Sequence, residues 1–198
     1  MSQPSTITAR NSAATARNAD ATASTAAAAA RSARIEAELS RVTRSFRILT
    51  GDRPTGPLHL GHYFGTLQNR VRLQDLGADV LVLVADYQAI TDRDAGAGLA
   101  SDVLGLVADN LAAGLDPGRA TIFAHSQAAP LNQLMLPFLS LLSVAEVSRN
   151  PTVKEEFAAT GGAVMSALMF TYPVHQAADI LACRANLVPV GQIGRAHV

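Results

Sequence analysis

Five consecutive apolar residues at positions 80–84 constrain the fold of this chain most. A strand with one face in water alternates apolar and polar residues, whereas a continuous run is typical of a parallel strand buried on both faces. Strands are predicted at 46–50, 79–87, 120–124 and 186–190, and helices at 60–76, 98–115, 131–147, 163–170 and 174–182. This alternation predicts an α/β fold with a doubly wound parallel sheet, in which ligands bind at the carboxyl ends of the strands.

Composition restricts the partners of the chain. The 16 basic residues balance the 16 acidic ones, so no global field would draw the chain onto nucleic acid; a local patch or a region outside this sequence would have to hold it. Cys183 is the single cysteine, which excludes an internal disulfide and favours a reducing, cytoplasmic compartment. No apolar run approaches the roughly 18 residues that a membrane-spanning helix needs, so we expect no membrane partner.

Residues 1–45 differ in composition from the rest of the chain. Residues 1–33 are mainly Ala, Ser, Thr, Asn and Arg, and they cannot bury enough apolar surface to offset chain entropy. We predict a disordered tail, marginally helical over 26–39 through alanine propensity. A misplaced start codon is the other explanation, and a transit peptide ranks below both because Leu and Phe are absent before Ile35. The folded domain is predicted over 46–191.

The segment after the first predicted strand has the features of a phosphate-binding loop. Gly51, Gly56 and Gly61 punctuate it, and His59 and His62 lie three residues apart at the start of the next helix. That spacing puts both imidazoles on one face of the first turn, where backbone N–H groups are exposed to an anion. Taken alone, each histidine is more simply explained as a solvent-exposed residue without a function. The pair, placed among these glycines, favours a ligand-binding role instead.

A second constellation lies in the last predicted helix. Tyr172, Gln176 and Asp179 are spaced by four and three residues, so they share one helical face. An acid on an otherwise apolar face is costly unless it has a partner, which is either a ligand or a neighbouring arginine such as Arg184. The sequence holds no CxxC or HxxxH motif, and the spacing of His175 and Cys183 does not predict a metal site.

Four blocks in order resemble the class I aminoacyl-tRNA synthetases, and within them the tryptophanyl branch. They are TGDRPTG with HLGH (50–62), ADYQAIT (85–91), NPTVK (150–154) and TYPVHQAADI (171–180), and the match closes with LVPVG (187–191). HxGH alone is shared with other nucleotidyl transferases, whereas four ordered blocks are much more specific. The resemblance implies a Rossmann-like fold of the HxGH nucleotidyl-transferase type, incomplete at its C-terminus.

The resemblance also implies an activity and its residues. The implied enzyme activates tryptophan with ATP and Mg²⁺, transfers it to tRNA(Trp), and is a cytoplasmic homodimer. Its implied catalytic residues are His59, His62 and Lys154, and its implied ATP contacts are Thr50, Gly51, Asp52, Arg53, Thr55, Gly61 and His62. The implied substrate residues are Leu49, Gly51, Gln88, Tyr172, Gln176, Asp179, Val188 and Val190, with no resident metal ion.

Several of these roles have structural alternatives. Asp179 would accept the indole N–H of tryptophan or the hydroxyl of tyrosine, while Tyr172 and Gln176 hold the α-amino group. Lys154 fits equally well a solvated residue in a charged helix, where its ion pairs contribute tenths of a kcal/mol. Gln88 and the two valines could instead serve packing.

The sequence departs from the family pattern at its C-terminal end. Residues 192–198 replace the expected Glu-Asp-Gln and helix, and they resemble a translated sequencing adaptor more than a fold element. A mobile KMSKS-type loop and a helical anticodon-reading domain are also missing. We hypothesise a truncated reading frame, and we expect this chain to charge tRNA poorly. The competing functions are a tyrosine–tRNA ligase, a cofactor-making adenylyl transferase, and an inactive fragment that binds ATP or an amino acid.

Overall fold

The computed structural model describes residues 26–27, 29–38, 41, 46–90, 98–159 and 165–189. The chain divides into two compact units, residues 1–43 and 44–198. In the first unit residues 29–38 are helical, as alanine propensity predicts. The predicted disorder of residues 1–25 lies outside the described residues. Within those residues, none of the helices has both the length and the apolar character to cross a bilayer.

The second unit is built on a parallel sheet. Its strands are β1 (Arg47–Asp52), β2 (Asp79–Val84) and β3 (Ala120–Ala124), in the spatial order β1-β2-β3. The predictions of the first and third strands are confirmed; the second, predicted over 79–87, ends at Val84, because Asp86–Ala89 form a short helix. Of the strand predicted at 186–190, the described part, 186–189, forms one parallel bridge between Leu187 and Ile48, where the Leu49 N–H donates to the Leu187 carbonyl at 3.1 Å. Val190 lies outside the described residues.

Helices connect and cover these strands. Their bounds are α1 (Leu60–His62), a π-helical turn (Tyr63–Leu67), α2 (Gln68–Asp75), α3 (Asp86–Ala89), α4 (Leu99–Ala112), a 3-10 turn (His125–Gln127), α5 (Ala129–Gln133), α6 (Met135–Ser140), α7 (Val144–Ser148), α8 (Pro151–Ala159) and α9 (Ala167–Ala182).

Strand β2 is buried on both faces, as its continuous apolar sequence predicts. On one face Leu83 packs with Leu49 and with Ile180 of α9. On the other face Val84 packs with Leu106 of α4. Because successive side chains of a strand point to opposite faces, helices cover both sides of the sheet, and the predicted doubly wound arrangement is confirmed.

The prediction of one apolar helix over 131–147 is wrong. The segment forms α5, α6 and α7, with breaks after Gln133 and after Ser140. Pro137 explains the first break, because its ring clashes with the carbonyl of Gln133 in a continuous helix. Ser143 begins α7 by accepting from the Glu146 N–H, while the Glu146 carboxylate accepts from the Ser143 N–H. Local chemistry thus overrides the apolar pattern.

The helix predicted at 60–76 contains a π-helical turn that changes its exposed face. Leu67 is buried, whereas Leu60 and Phe64 are 75% and 66% exposed although the α-helical spacing predicts one apolar face. A π turn bonds residue i to i+5, so the three-and-four spacing no longer holds across it. The sequence predicts separate helices at 163–170 and 174–182; the described part forms the single helix α9, with Pro173 inside it.

The sheet has a reversal in strand order beside β1. β2 and β3 extend the sheet on one side of β1, and Leu187 bridges to its other side. In open α/β sheets, ligands bind in the crevice at such a reversal, outside the carboxyl ends of the strands. The fold therefore directs attention to the residues at the end of β1.

Candidate functional site

A cavity lies at the carboxyl end of β1. It is lined by Leu49, Thr50, Gly51, Asp52 and Arg53, by Leu83, Ala85 and Gln88 from the end of β2 onward, by Gln176, Asp179 and Ile180 of α9, and by Val188. The structure thus brings together most of the predicted nucleotide and substrate residues. We call this the sheet-edge cavity.

Packing against the neighbouring strand explains why a glycine stands at position 51. A Cβ at this position would overlap the carbonyl oxygen of Leu83 on β2. The sequence suggests that this glycine lets a ligand approach the backbone; the close approach that the structure shows is instead that of the neighbouring strand. Gly56 adopts φ +128°, which favours glycine at the turn after β1.

A buried arginine anchors the end of β1 through contacts with two residues that line the cavity. Arg70 of α2 is 2% exposed, and its Nη1 lies 2.7 Å from Asp52 Oδ2 and 3.0 Å from Asn110 Oδ1. Its Nε donates to Thr50 Oγ1 at 3.1 Å. Two cavity residues are therefore fixed by one guanidinium, whose planar fork suits several acceptors at once.

Asp179 is held by a histidine that follows β3. His125 Nε2 lies 2.9 Å from Asp179 Oδ1, and the two residues are 0% and 1% exposed. The partner of the buried acid is thus His125, not Arg184 as the structural alternative proposed. Asp86 also holds the segment that follows β3, since its Oδ1 accepts from the backbone N–H groups of Tyr87 and Ser126.

A second histidine extends this network. His175 Nε2 lies 2.8 Å from Asn132 Oδ1, and Asn132 Nδ2 donates to the His125 carbonyl at 2.6 Å. The His125 and His175 rings have centroids 4.3 Å apart. Burial lowers the pKa of His175 below its ordinary value, against the opposing charge of Asp179 and with a smaller lowering from His125.

The same cluster is the candidate for a metal ion among the described residues. One donor atom each from His125, His175 and Asp179 lies within 4.8 Å of the other two. His125 Nε2 is hydrogen-bonded to Asp179, and His175 Nε2 to Asn132. Metal binding through the two Nε2 atoms would break both hydrogen bonds, so at these atoms the geometry favours a hydrogen-bonded network.

The two motif histidines form the cap of α1. His59 Nδ1 accepts from the Gly61 N–H at 3.0 Å, and His62 Nδ1 accepts from the His59 N–H at 3.2 Å. Their ring centroids are 4.0 Å apart. A Cβ on Gly61 would lie 2.7 Å from His59 Cε1, so this glycine allows the ring to fold over the turn. His59 is exposed and His62 half-buried, and neither lines the sheet-edge cavity.

Other predicted residues lie outside that cavity. Lys154 is exposed and lines a different, largely apolar cavity with Ser148, Val153, Phe157, Met165 and Phe170. Thr55 is exposed in the turn after β1, and Tyr172 is half-buried in α9. The structure therefore does not bring Lys154 or Thr55 to the lining of the sheet-edge cavity.

Sequence reasoning missed the residues that support this edge. Arg70, Asn110, His125, Asn132 and His175 were not predicted as site residues. One signal was present for His125, since it directly follows a strand and so falls at the carboxyl edge of the sheet. For Arg70 the partner lies 18 residues away in the preceding strand, and no local pattern announces the pair.

A parallel sheet with a cavity at its reversal point, followed by a glycine turn and a histidine-capped helix, defines the class of α/β nucleotide-binding domains. The family model for class I tRNA synthetases (W and Y) matches residues 41–197. The chain belongs to this family.

Individual relatives are similar over most of the chain. The tryptophan–tRNA ligase of Streptococcus agalactiae serotype V is 52% identical over 147 residues, which are 73% of this chain and 43% of that protein. Tryptophanyl-tRNA synthetase from Campylobacter jejuni, complexed with ADP and tryptophan, superposes with a TM-score of 0.67 at 32% identity, over 74% of this chain and 45% of that one.

A tyrosine relative is also similar in structure. Tyrosyl-tRNA synthetase from Archaeoglobus fulgidus, complexed with L-tyrosine, gives a TM-score of 0.54 at 25% identity over 76% of this chain and 47% of that one. The chain spans about 43% of the length of the tryptophan–tRNA ligases that it matches.

Proposed function

We propose that this chain forms the nucleotide- and amino-acid-binding part of a tryptophan–tRNA ligase. The whole protein would activate tryptophan with ATP and Mg²⁺ and transfer it to tRNA(Trp). The observation that carries the proposal is the sheet-edge cavity, in which the end of β1 faces the polar side of α9. The Campylobacter jejuni relative with ADP and tryptophan supports it.

The amino acid would occupy the side of the cavity formed by α9. Asp179 is buried beside His125, and a buried carboxylate favours ligands that donate a further hydrogen bond to it. Gln176 and Gln88 line the same cavity and supply amide groups for the α-amino and carboxylate ends, with Tyr172 one helical turn away on α9. Leu49 and Val188 would supply apolar surface for the ring. The role of Val190 stays an expectation from the family resemblance, because this residue lies outside the described residues.

ATP would occupy the side formed by the end of β1 and the turn after it. Thr50, Gly51, Asp52 and Arg53 line the cavity, and Arg53 supplies a cation for phosphate. Thr55 and Gly61, with His59 and His62, lie along the turn and helix start that follow. The Gly61 N–H is already donated to His59, so a phosphate at this amide would have to displace that imidazole.

The chemistry needs positive and N–H donors where charge develops. The amino acid carboxylate attacks the α-phosphate of ATP in line, pyrophosphate leaves, and catalysis consists mainly of positioning and electrostatic stabilisation. When bound, Mg²⁺ neutralises phosphate charge. His59 and His62 would donate to the phosphates, and Lys154 would join them only if α8 approached the cavity, because the lysine lines a different cavity in this structure.

Binding by the chain tests the proposal directly. Calorimetry with tryptophan, tyrosine and a non-hydrolysable ATP analogue should give saturable binding of tryptophan at one site. Asp179→Asn keeps the shape of the side chain. If the amide oxygen keeps its hydrogen bond with His125, the amide N–H faces the indole N–H of tryptophan, so tryptophan binding should weaken about 10- to 100-fold. Unchanged tryptophan affinity in the folded variant would remove Asp179 from the site.

Tyrosine is the second candidate substrate. Asp179 could accept a phenolic hydroxyl, and the Archaeoglobus fulgidus relative was solved with L-tyrosine. The 52% identity to a tryptophan–tRNA ligase favours tryptophan. Tighter binding of tyrosine than of tryptophan would reverse the assignment while leaving the site in place.

The remaining partners follow from the family. We propose that the whole protein binds tRNA(Trp) mainly through regions outside this 198-residue chain, forms a homodimer, and acts in the cytoplasm. Sedimentation of the full-length protein tests the dimer, and aminoacylation assays on it test the tRNA.

A further inference from the structure

His125 is a buried side chain that the motif-based site does not include. It lies directly after β3, is 0% exposed, and places Nε2 at 2.9 Å from Asp179 Oδ1. We propose that His125 is a positioning residue that sets substrate specificity, by donating its Nε2–H to Oδ1 of Asp179 so that Oδ2 accepts the ring N–H of the bound amino acid. This inference rests on the proposed function of the sheet-edge cavity.

The hydrogen-bond network fixes the direction of the bonds at Asn132. Asn132 Nδ2 lies 2.6 Å from the His125 carbonyl and 3.2 Å from the Ala128 carbonyl, so its amide nitrogen donates to both. Its oxygen must then accept, and His175 Nε2 is the donor at 2.8 Å. In the proposed arrangement His125 Nε2–H donates and Oδ1 of Asp179 accepts across the 2.9 Å that separates them.

His125 is also held firmly enough to orient its partner. Its backbone carbonyl accepts from Asn132, and its ring centroid lies 6.1 Å from that of Tyr87 and 4.3 Å from that of His175. A fully buried ring with two ring neighbours and a bound backbone has few alternative rotamers. One oxygen of Asp179 is therefore occupied, and because Asp179 lines the cavity, we assign the other oxygen to the ligand.

This arrangement predicts discrimination by a single N–H group. Tryptophan satisfies Oδ2, whereas its benzothiophene isostere, in which sulfur replaces the ring N–H, leaves a buried carboxylate oxygen without a partner. A hydrogen bond to a charged group that is lost in this way corresponds to a preference of roughly 10- to 100-fold. Without His125 the Asp179 carboxylate can rotate away from the ligand, so the preference for tryptophan over the isostere should fall.

Calorimetry on the 198-residue chain with both ligands tests this. His125→Leu removes the donor, and the preference for tryptophan should drop to within about threefold. His125→Gln keeps an N–H donor of similar reach and should retain most of the preference. A folded His125→Leu variant that keeps the wild-type ratio of affinities would overturn the role of His125.

The outcome for the wild-type chain separates the two proposals. If it binds tryptophan and the isostere equally, His125 does not act as proposed, and the tryptophan site stands. If it binds neither ligand, both proposals fail.

A ligand-free measurement covers the case in which His125→Leu does not fold. Nitrogen NMR of the wild-type imidazoles should show His125 in the Nε2–H form with a slowly exchanging proton. An Nδ1–H form, or stoichiometric zinc bound by the purified chain through His125, His175 and Asp179, would contradict the hydrogen bond.

Discussion

The sheet-edge cavity and the histidine turn of α1 are built in different ways. At the sheet edge the polar residues are buried and hold each other across long sequence distances, as Arg70 holds Asp52 and His125 holds Asp179. At the histidine turn the contacts run between residues two or three apart, and His59 is exposed. The polar residues at the sheet edge are thus part of the core, whereas the histidine turn lies at the surface. Substitutions at the first should lower stability and binding together, and those at the second should separate them.

Removing Arg70 should give the largest effect. Arg70→Met leaves the Asp52 carboxylate without its buried cation, so the free energy of unfolding should fall by about 3 kcal/mol. Urea denaturation measures it, with Arg72→Met as control, because Arg72 is exposed on the same helix and should change stability by less than about 0.5 kcal/mol. Equal effects of the two substitutions would show that the sheet edge is not anchored by Arg70.

A methyl group at Gly51 should have the next largest effect. Gly51→Ala pushes against the Leu83 carbonyl, and overpacking between two strands should cost about 1–3 kcal/mol and weaken tryptophan binding. Gly105 is the matched control, since a Cβ there meets no atom within 4 Å in the middle of α4. Gly105→Ala should stabilise the chain by about 0.5–1 kcal/mol. Thermal denaturation of both variants measures these changes. A Gly51→Ala variant as stable as the wild-type chain would contradict the close approach of β1 and β2.

Loss of the His59 cap should have a smaller effect on stability and a selective effect on binding. His59→Ala removes an N-cap acceptor, which should cost about 1 kcal/mol, while tryptophan affinity stays within about twofold and ATP-analogue affinity falls. Ser143→Ala removes a comparable cap, that of α7, and should cost the same stability without changing the affinity for either ligand. Tryptophan binding that falls with His59 would show that the two regions are not separable.

The pH dependence of stability should show the smallest effect. Because burial lowers the pKa of His175 below 6.5, the unfolded state binds more protons than the folded state between the lowered value and 6.5. The contribution of His175 to stability is therefore present above about pH 6.5 and is lost as the pH falls below it. His175→Gln keeps a donor for Asn132 and should reduce the drop in melting temperature between pH 7.5 and 5.5. An identical drop in both proteins would exclude His175 as the cause.

Local patterns predicted the parts of this fold that depend on local sequence. The three strands follow from apolar runs, and the placement of both histidines in the first turn of a helix follows from residues three apart; that they cap this helix was not predicted. Pro137 broke the predicted helix because a single ring outweighs an apolar pattern of many residues. The described part of the strand predicted at 186–190 forms one bridge, since pairing depends on a neighbour that lies far away in the sequence.

The candidate site divides along the same line. Thr50, Gly51, Asp52, Gln176 and Asp179 could be selected from motifs, and they line one cavity. His125 lies 54 residues from Asp179, so its hydrogen bond could not be predicted from spacing. Contacts of that kind depend on how strands and helices pack, which no single segment encodes.

The bond between the Gly61 amide and the His59 ring has a consequence for the energetics of ligand capture. An anion that arrives at this turn exchanges one acceptor for another, so the number of satisfied amides stays the same. The net free energy of anion binding then comes from new contacts between the released imidazole and the anion. An anion that binds at this turn would therefore replace the His59 ring as acceptor of the Gly61 N–H, and the ring would then be available to contact the anion.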